Sequence, residues 1–139
     1  MRISVLSIII CFVLLSTSCR EDERIIPSTP NQVTPGVNGT SVKGFFLLNE
    51  GNMGSNKATL DYFDYETGIY HKNIYAERNP GVVQELGDVG NDIQIYGNKL
   101  YAIINCSHFV EVMNVETAKH ITQISIPNCR YIVDGRSEE

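Results

Sequence analysis

Few side chains in this 139-residue sequence are spaced for covalent chemistry. The three histidines, His71, His108 and His120, stand apart, and none has Cys, Asp or Glu at metal-ligand spacing, so surface or turn roles are expected and no metal site is assigned. "GNMGSN" at 51–56 is glycine-rich but lacks the Lys-Ser/Thr of a phosphate loop and precedes a strand pattern, not a helix. "GDVGND" at 87–92 offers Asp88, Asn91 and Asp92 without the spacing of an EF-hand loop. There is no nucleophile-elbow motif and no justified pair of catalytic carboxylates. No catalytic residue, cofactor or metal is therefore assigned, and the expectation is a protein that is not an enzyme. What remains is a set of hydrogen-bonding side chains suited to holding a polar ligand: Asn49, Glu50, Asn52, Asn91, Asp92, Asn105, Ser107, Arg130 and Tyr131. Met53, His108 and Asn128 lie among them.

The elements that would position these residues are short strands. "KLYAIIN" is an apolar run rich in β-formers, and "DIQIYG", "VEVMNV" and "HITQISI" alternate between two faces. "GNK", "ETG" and "ETA" supply tight turns between them. The pattern is also written twice. Leu60–Ile74 aligns without a gap on Val110–Ile124, fifty residues later, matching "YETG" with "VETA". "FFLLN" at 45–49 aligns on "YAIIN" at 101–105, fifty-six residues later, which puts Asn49 and Asn105 at one repeat position. A period near fifty with four short antiparallel strands per unit describes a propeller blade. A small sandwich with accidental similarity is the competing reading. The fold class expected is thus all-β, a β-propeller fragment of about two four-stranded antiparallel blades.

In such a blade the A–B and C–D turns, here minimal, lie on one face, and the B–C and D–A loops lie on the other. The long polar connections, 50–59 and 74–90, are all of the second kind. Long connections in compact folds are usually functional or disordered, and on the functional reading these side chains are placed together on that face near the ring axis. Asn49 and Asn105 have a second reading, as residues that bond loop backbone in each repeat.

The N-terminus is a different object. Met1-Arg2, the apolar run Ile3–Leu15 and the small residues "STSC" form a secretory signal too short to span a bilayer. Cleavage before Cys19 would make that residue an acylated N-terminus, with several acyl chains as a stable anchor. An ordinary signal peptide with an incidental cysteine is the alternative. Domain limits follow: 1–18 lipoprotein signal peptide, 19–42 acidic then Pro/Ser/Thr-rich tether, 43–139 the two blades. The net charge of −5, with acids and bases interspersed, leaves no footprint for nucleic acid. Of the four cysteines, Cys106 and Cys129 remain after processing. An envelope location permits a disulfide between them, worth roughly 3 kcal/mol, and two reduced thiols are equally consistent.

The strings "LYAIIN", "VEVMNVETAK" and "ISIP" resemble the YVTN repeat of YncE-like seven-bladed propellers. With "LLNEGNMGSNKATLDYFDYETG", "ELGDVGNDIQIYG" and "IPNCRY", the chain is similar to surface lipoproteins of Bacteroidota, of the BtuG type that binds cobalamin. The acidic run Glu21, Asp22, Glu23 resembles the signal that sends such lipoproteins to the cell surface. The resemblance implies a ligand-binding, surface-exposed lipoprotein of the outer membrane that passes a corrinoid to a TonB-dependent transporter and meets the membrane through its lipid alone. A protein-interaction scaffold or a nonfunctional fragment is the alternative, and a propeller hydrolase or lyase a third. "CRYIVDGRSEE" reads as the start of a further innermost strand that ends in charge, hence the expectation of an N-terminal fragment of a longer ring.

Overall fold

The computed structural model describes residues 30–36, 42–82, 85–133 and 135. The signal segment, Cys19 and the acidic run lie outside the described residues. The described chain is all-β apart from one short helix. Its elements are β1 (Asn31–Gln32), β2 (Gly44–Asn49), β3 (Thr59–Asp64), β4 (Ile69–His71), α1 (Ile74–Arg78), β5 (Gly90–Tyr96), β6 (Lys99–Ile104), β7 (Phe109–Asn114) and β8 (His120–Ser125). They form two four-stranded antiparallel sheets, in the orders β1-β4-β3-β2 and β5-β6-β7-β8.

The hairpin turns show how the sequence repeat becomes a structural one. Asp64 Oδ1 accepts the backbone N–H of Glu66 at 2.8 Å and of Thr67 at 3.3 Å, and Asn114 Oδ1 accepts those of Glu116 and Thr117 at 3.0 Å. Each turn closes on a left-handed residue, Gly68 at φ 68° and Ala118 at φ 54°. Side chains that bond their own backbone two or three residues on are what "DYETG" and "NVETA" supply.

Residues 31–36, expected as tether, are instead stitched to the first sheet. Asn31 pairs with Tyr70 and Gln32 with Ile69, and Val33 N–H donates to Gly68 O at 3.0 Å. The Gln32 side chain donates to Thr67 O at 2.9 Å. A four-residue-or-shorter strand such as β4 would otherwise present unpaired N–H and C=O groups at a sheet edge, and the passing segment covers them. The fourth strand therefore sits differently in the two sheets: β1 flanks β4, whereas β5 flanks β6.

The repeat also has a register that differs from the letter alignment. Leu48 opposes Leu60 and Ile103 opposes Val110. With Leu60 and Val110 fifty residues apart, Leu48 matches Ile103, fifty-five residues on, not Ile104. A one-residue slip moves every side chain to the other face. Only the observed register lets each sheet bury a continuous apolar side, so Asn49 corresponds to Ile104, and Asn49 and Asn105 do not share a repeat position.

The core lies between the sheets. Leu60, Leu100, Ala102, Ile104 and Met113 are buried there with Tyr75 of α1 and Leu86, and Phe46, Leu48 and Tyr62 pack against them. Buried Asn79, just after α1, fastens the sheets: its Nδ2 donates to Tyr75 O at 2.8 Å and Ala118 O at 2.9 Å, and its Oδ1 accepts from His120 N–H at 2.8 Å.

Candidate functional site

The β2–β3 and β6–β7 connections share one end of the sheets, the loop end. Asp88 organises it. Its carboxylate accepts the Gly54 N–H through both oxygens, at 3.0 and 2.9 Å, and the Asn56 N–H at 3.4 Å. Its own N–H donates to Ser107 Oγ at 2.8 Å, and its carbonyl accepts from Cys106 N–H at 3.1 Å. Gly87 O accepts from Ala58 N–H at 2.9 Å, and Glu50 O from Gly90 N–H at 3.1 Å. The 87–90 stretch thus ties the 50–58 loop of the first sheet to the 105–108 loop of the second. Between Asp88 and Gly90, buried Val89 stands at φ 61°, a conformation β-branched residues rarely adopt, and its carbonyl accepts from Asn105 N–H.

The nine binding candidates divide by what their side chains already do. Asn49 Nδ2 donates to Thr59 Oγ1 at 2.9 Å and Asp61 Oδ2 at 2.8 Å. Asn105 Nδ2 donates to Cys129 O at 2.7 Å. Asp92 accepts from Ile93 N–H at 2.9 Å and from Ile132 N–H at 3.0 Å, and Ser107 accepts from Asp88. These four are engaged in holding the loop end together. Glu50, Asn52, Asn91, Arg130 and Tyr131 are exposed, and their side chains make no hydrogen bond or ion pair among the described residues. Cys106 and Cys129 are both free thiols, so the disulfide weighed between them is not formed.

Two buried carboxylates stand fifty residues apart on the strands β3 and β7. Asp61 accepts from Asn49, from the Tyr70 hydroxyl at 2.7 Å and from Asn73 N–H at 2.8 Å. Glu111, with no solvent exposure, lies 2.5 Å from His120 Nδ1. Tyr70 and His120 are themselves fifty residues apart, so an acid on one strand and a partner on the next recur in both sheets. Burial, then the Asp61 hydrogen bond and charge, pushes the Tyr70 hydroxyl up to about 12. Burial and the Glu111 charge push Tyr75 up likewise. In both pairs a buried carboxylate meets a half-buried partner on the neighbouring strand and so ties the two strands together.

At the opposite, turn end a cleft of about 640 Å³ opens between the sheets. Phe46, Tyr62 and His71 form one wall, and Ile95 and Val115 the other. None of its residues was a sequence candidate. The tight turns there carry turn signals but no binding motif, and only the shared facing of Phe46 and Tyr62 opposite Ile95 would have pointed to it. Among the described residues no group of three His, Cys, Asp or Glu side chains is placed to hold a metal ion, and no helix is long and apolar enough to cross a membrane.

With this geometry in view, comparison with known proteins assigns a family. Residues 43–130 match the family described as a domain of unknown function, DUF5074, and the chain belongs to it. No curated protein matches the chain.

Proposed function

We propose that the protein is a non-catalytic ligand-binding lipoprotein of the cell surface, built on a propeller whose first two blades are the two sheets. Its ligand is met at the loop end, and a corrinoid such as cobalamin is the candidate cargo, handed to a TonB-dependent outer-membrane transporter. The Asp88–Gly54 bond is the observation that carries this reading. It fixes the backbone of the 50–58 loop from a different sheet and leaves Glu50, Asn52 and Met53 outward, with Met53 81% exposed. A loop held rigid while its own polar side chains stay unpaired is pre-organised for a ligand, because little ordering entropy remains to be lost on binding. Amides, a carboxylate, an arginine and a tyrosine in one place suit a ligand rimmed with amide groups. The lipid anchor at Cys19 and the ligand class come from the resemblance of the sequence to YncE-like and BtuG-type proteins.

A closed ring draws its axial pocket from every blade, so the test uses the complete gene product without its signal. Calorimetric titration with cyanocobalamin should give saturable binding at one site per protein, with no chemical change in the ligand. A well-folded protein that gives no heat with cyanocobalamin sinks the corrinoid assignment.

A further inference from the structure

The cleft at the turn end has its own chemistry. Phe46 and Tyr62 meet at a tilt of 43° with ring centroids 4.8 Å apart, and the His71 ring lies 6.4 Å beyond Tyr62 at 30°, so three rings follow one another along one wall. Ile95, 51% exposed, faces it across the opening from the second sheet. The volume, about 640 Å³, falls within the range of small-molecule sites, which are mainly apolar with a few placed polar groups. His71 Nδ1 is buried with no hydrogen-bond partner, a condition that costs free energy unless something enters to meet it. At the mouth stand Lys43 and Lys119, whose ammonium groups make no ion pair or hydrogen bond among the described residues, with Arg78 beside them, bound only to exposed Glu77 at 3.4 Å. The facing acids are Asp64 and Glu116. Asp64 already accepts two turn N–H groups, and the two unpaired ammonium groups are the donors left open to an anionic ligand.

We propose that this inter-sheet cleft is a second binding site, which takes a small planar aromatic carboxylate. The ring would lie along Phe46 and Tyr62 with Ile95 on its other face, and the carboxylate would reach His71 Nδ1 and the two lysines. Tyr62 remains a neutral donor there, its hydroxyl pushed up by burial and then by the Asp64 charge. Both walls come from residues 43–119, so the site does not depend on the loop end or on further blades.

The test is a titration of the full-length protein with 1-naphthoate and with neutral 1-naphthamide, read by calorimetry and by amide chemical shifts. 1-Naphthoate should bind saturably, shift residues of the cleft, and bind at least about tenfold tighter than the amide, since hydrogen bonds to charged groups are the stronger kind. The Lys43→Ala/Lys119→Ala protein should lose about tenfold for the acid and nothing for the amide. Ile95→Asp should abolish binding of both. All three substituted side chains are exposed, so the variants fold. No binding, equal affinity for acid and amide, or indifference to the lysine pair would each overturn the proposal. Cyanocobalamin should not compete, so this site and the loop-end reading stand or fall separately.

Discussion

Asp88 and Gly54, thirty-four residues apart and supplied by different repeats, are joined by a carboxylate that receives one backbone N–H on both oxygens, at 2.9 and 3.0 Å. The bond makes the 50–58 loop part of the framework. Asp88→Ala should lower stability by about 0.5–1.5 kcal/mol in urea denaturation, because the exposed Gly54 and Asn56 N–H groups exchange the carboxylate for water. Hydrogen exchange at Gly54 should rise while exchange in β6 stays unchanged. A loop that keeps its protection in the variant would show that Asp88 is not what holds it.

Gly68 and Ala118 end equivalent turns in the same left-handed conformation, yet only one tolerates a side chain. A Cβ at Gly68 would meet Thr34 O at 1.9 Å, because the 30–36 segment crosses that turn. Gly68→Ala should therefore cost more than about 2 kcal/mol, from the left-handed backbone and the clash together. Ala118→Gly should change stability by under about 1 kcal/mol, since relief of the backbone offsets the lost buried methyl. Equal effects of the two substitutions in equilibrium unfolding would contradict the packing of 30–36 on the turn.

Tyr70 carries a pH signature. Its hydroxyl is held at about 12 in the fold, above the ordinary 10. A raised acid pKa means that the contribution is complete below pH 10 and is lost as pH rises from about 10 to about 12. Tyr70→Phe should cost about 1–2 kcal/mol at neutral pH, since Asp61 loses one of its donors. It should also flatten the fall in stability over that alkaline window, with Tyr75 leaving a residual slope. An unchanged alkaline profile in the variant would remove the Asp61–Tyr70 bond from the account.

Asn79 joins the sheets through three hydrogen bonds, the buried ones to Tyr75 O and Ala118 O and a half-buried one from His120 N–H. Asn79→Ala removes the side-chain partner of Ala118 O and His120 N–H, while Tyr75 O keeps the Asn79 backbone N–H, and a loss of about 1–3 kcal/mol is expected. Near-wild-type chemical denaturation would mean that the two sheets are held without this staple.

The strands were legible in the sequence because half-buried β-sheets alternate, and "VEVMNV" and "HITQISI" do. The strand β1 was not, since two residues in a Pro/Ser/Thr-rich stretch carry no period. Nor was α1, a single turn whose start is fixed by the left-handed cap Asn73 and not by an apolar stripe. The repeat was read one residue out at β2 because "FFLLN" and "YAIIN" both end in Asn. The pairing of Leu48 with Leu60 and of Ile103 with Val110, which only the folded sheets make visible, sets the true register. At the site, residue type identified groups able to bind a ligand, but Asn49, Asp92, Asn105 and Ser107 bond inward. Whether an amide points at a ligand or at a neighbouring loop is decided by tertiary contacts.

The most direct measurement on the proposed ligand face is hydrogen exchange of the complete gene product with and without cyanocobalamin. The account predicts added protection at 51–56, 91–92 and 129–131, and none at Gly97 or Thr117 at the turn end. Protection unchanged throughout, or confined to the turn end, would contradict it.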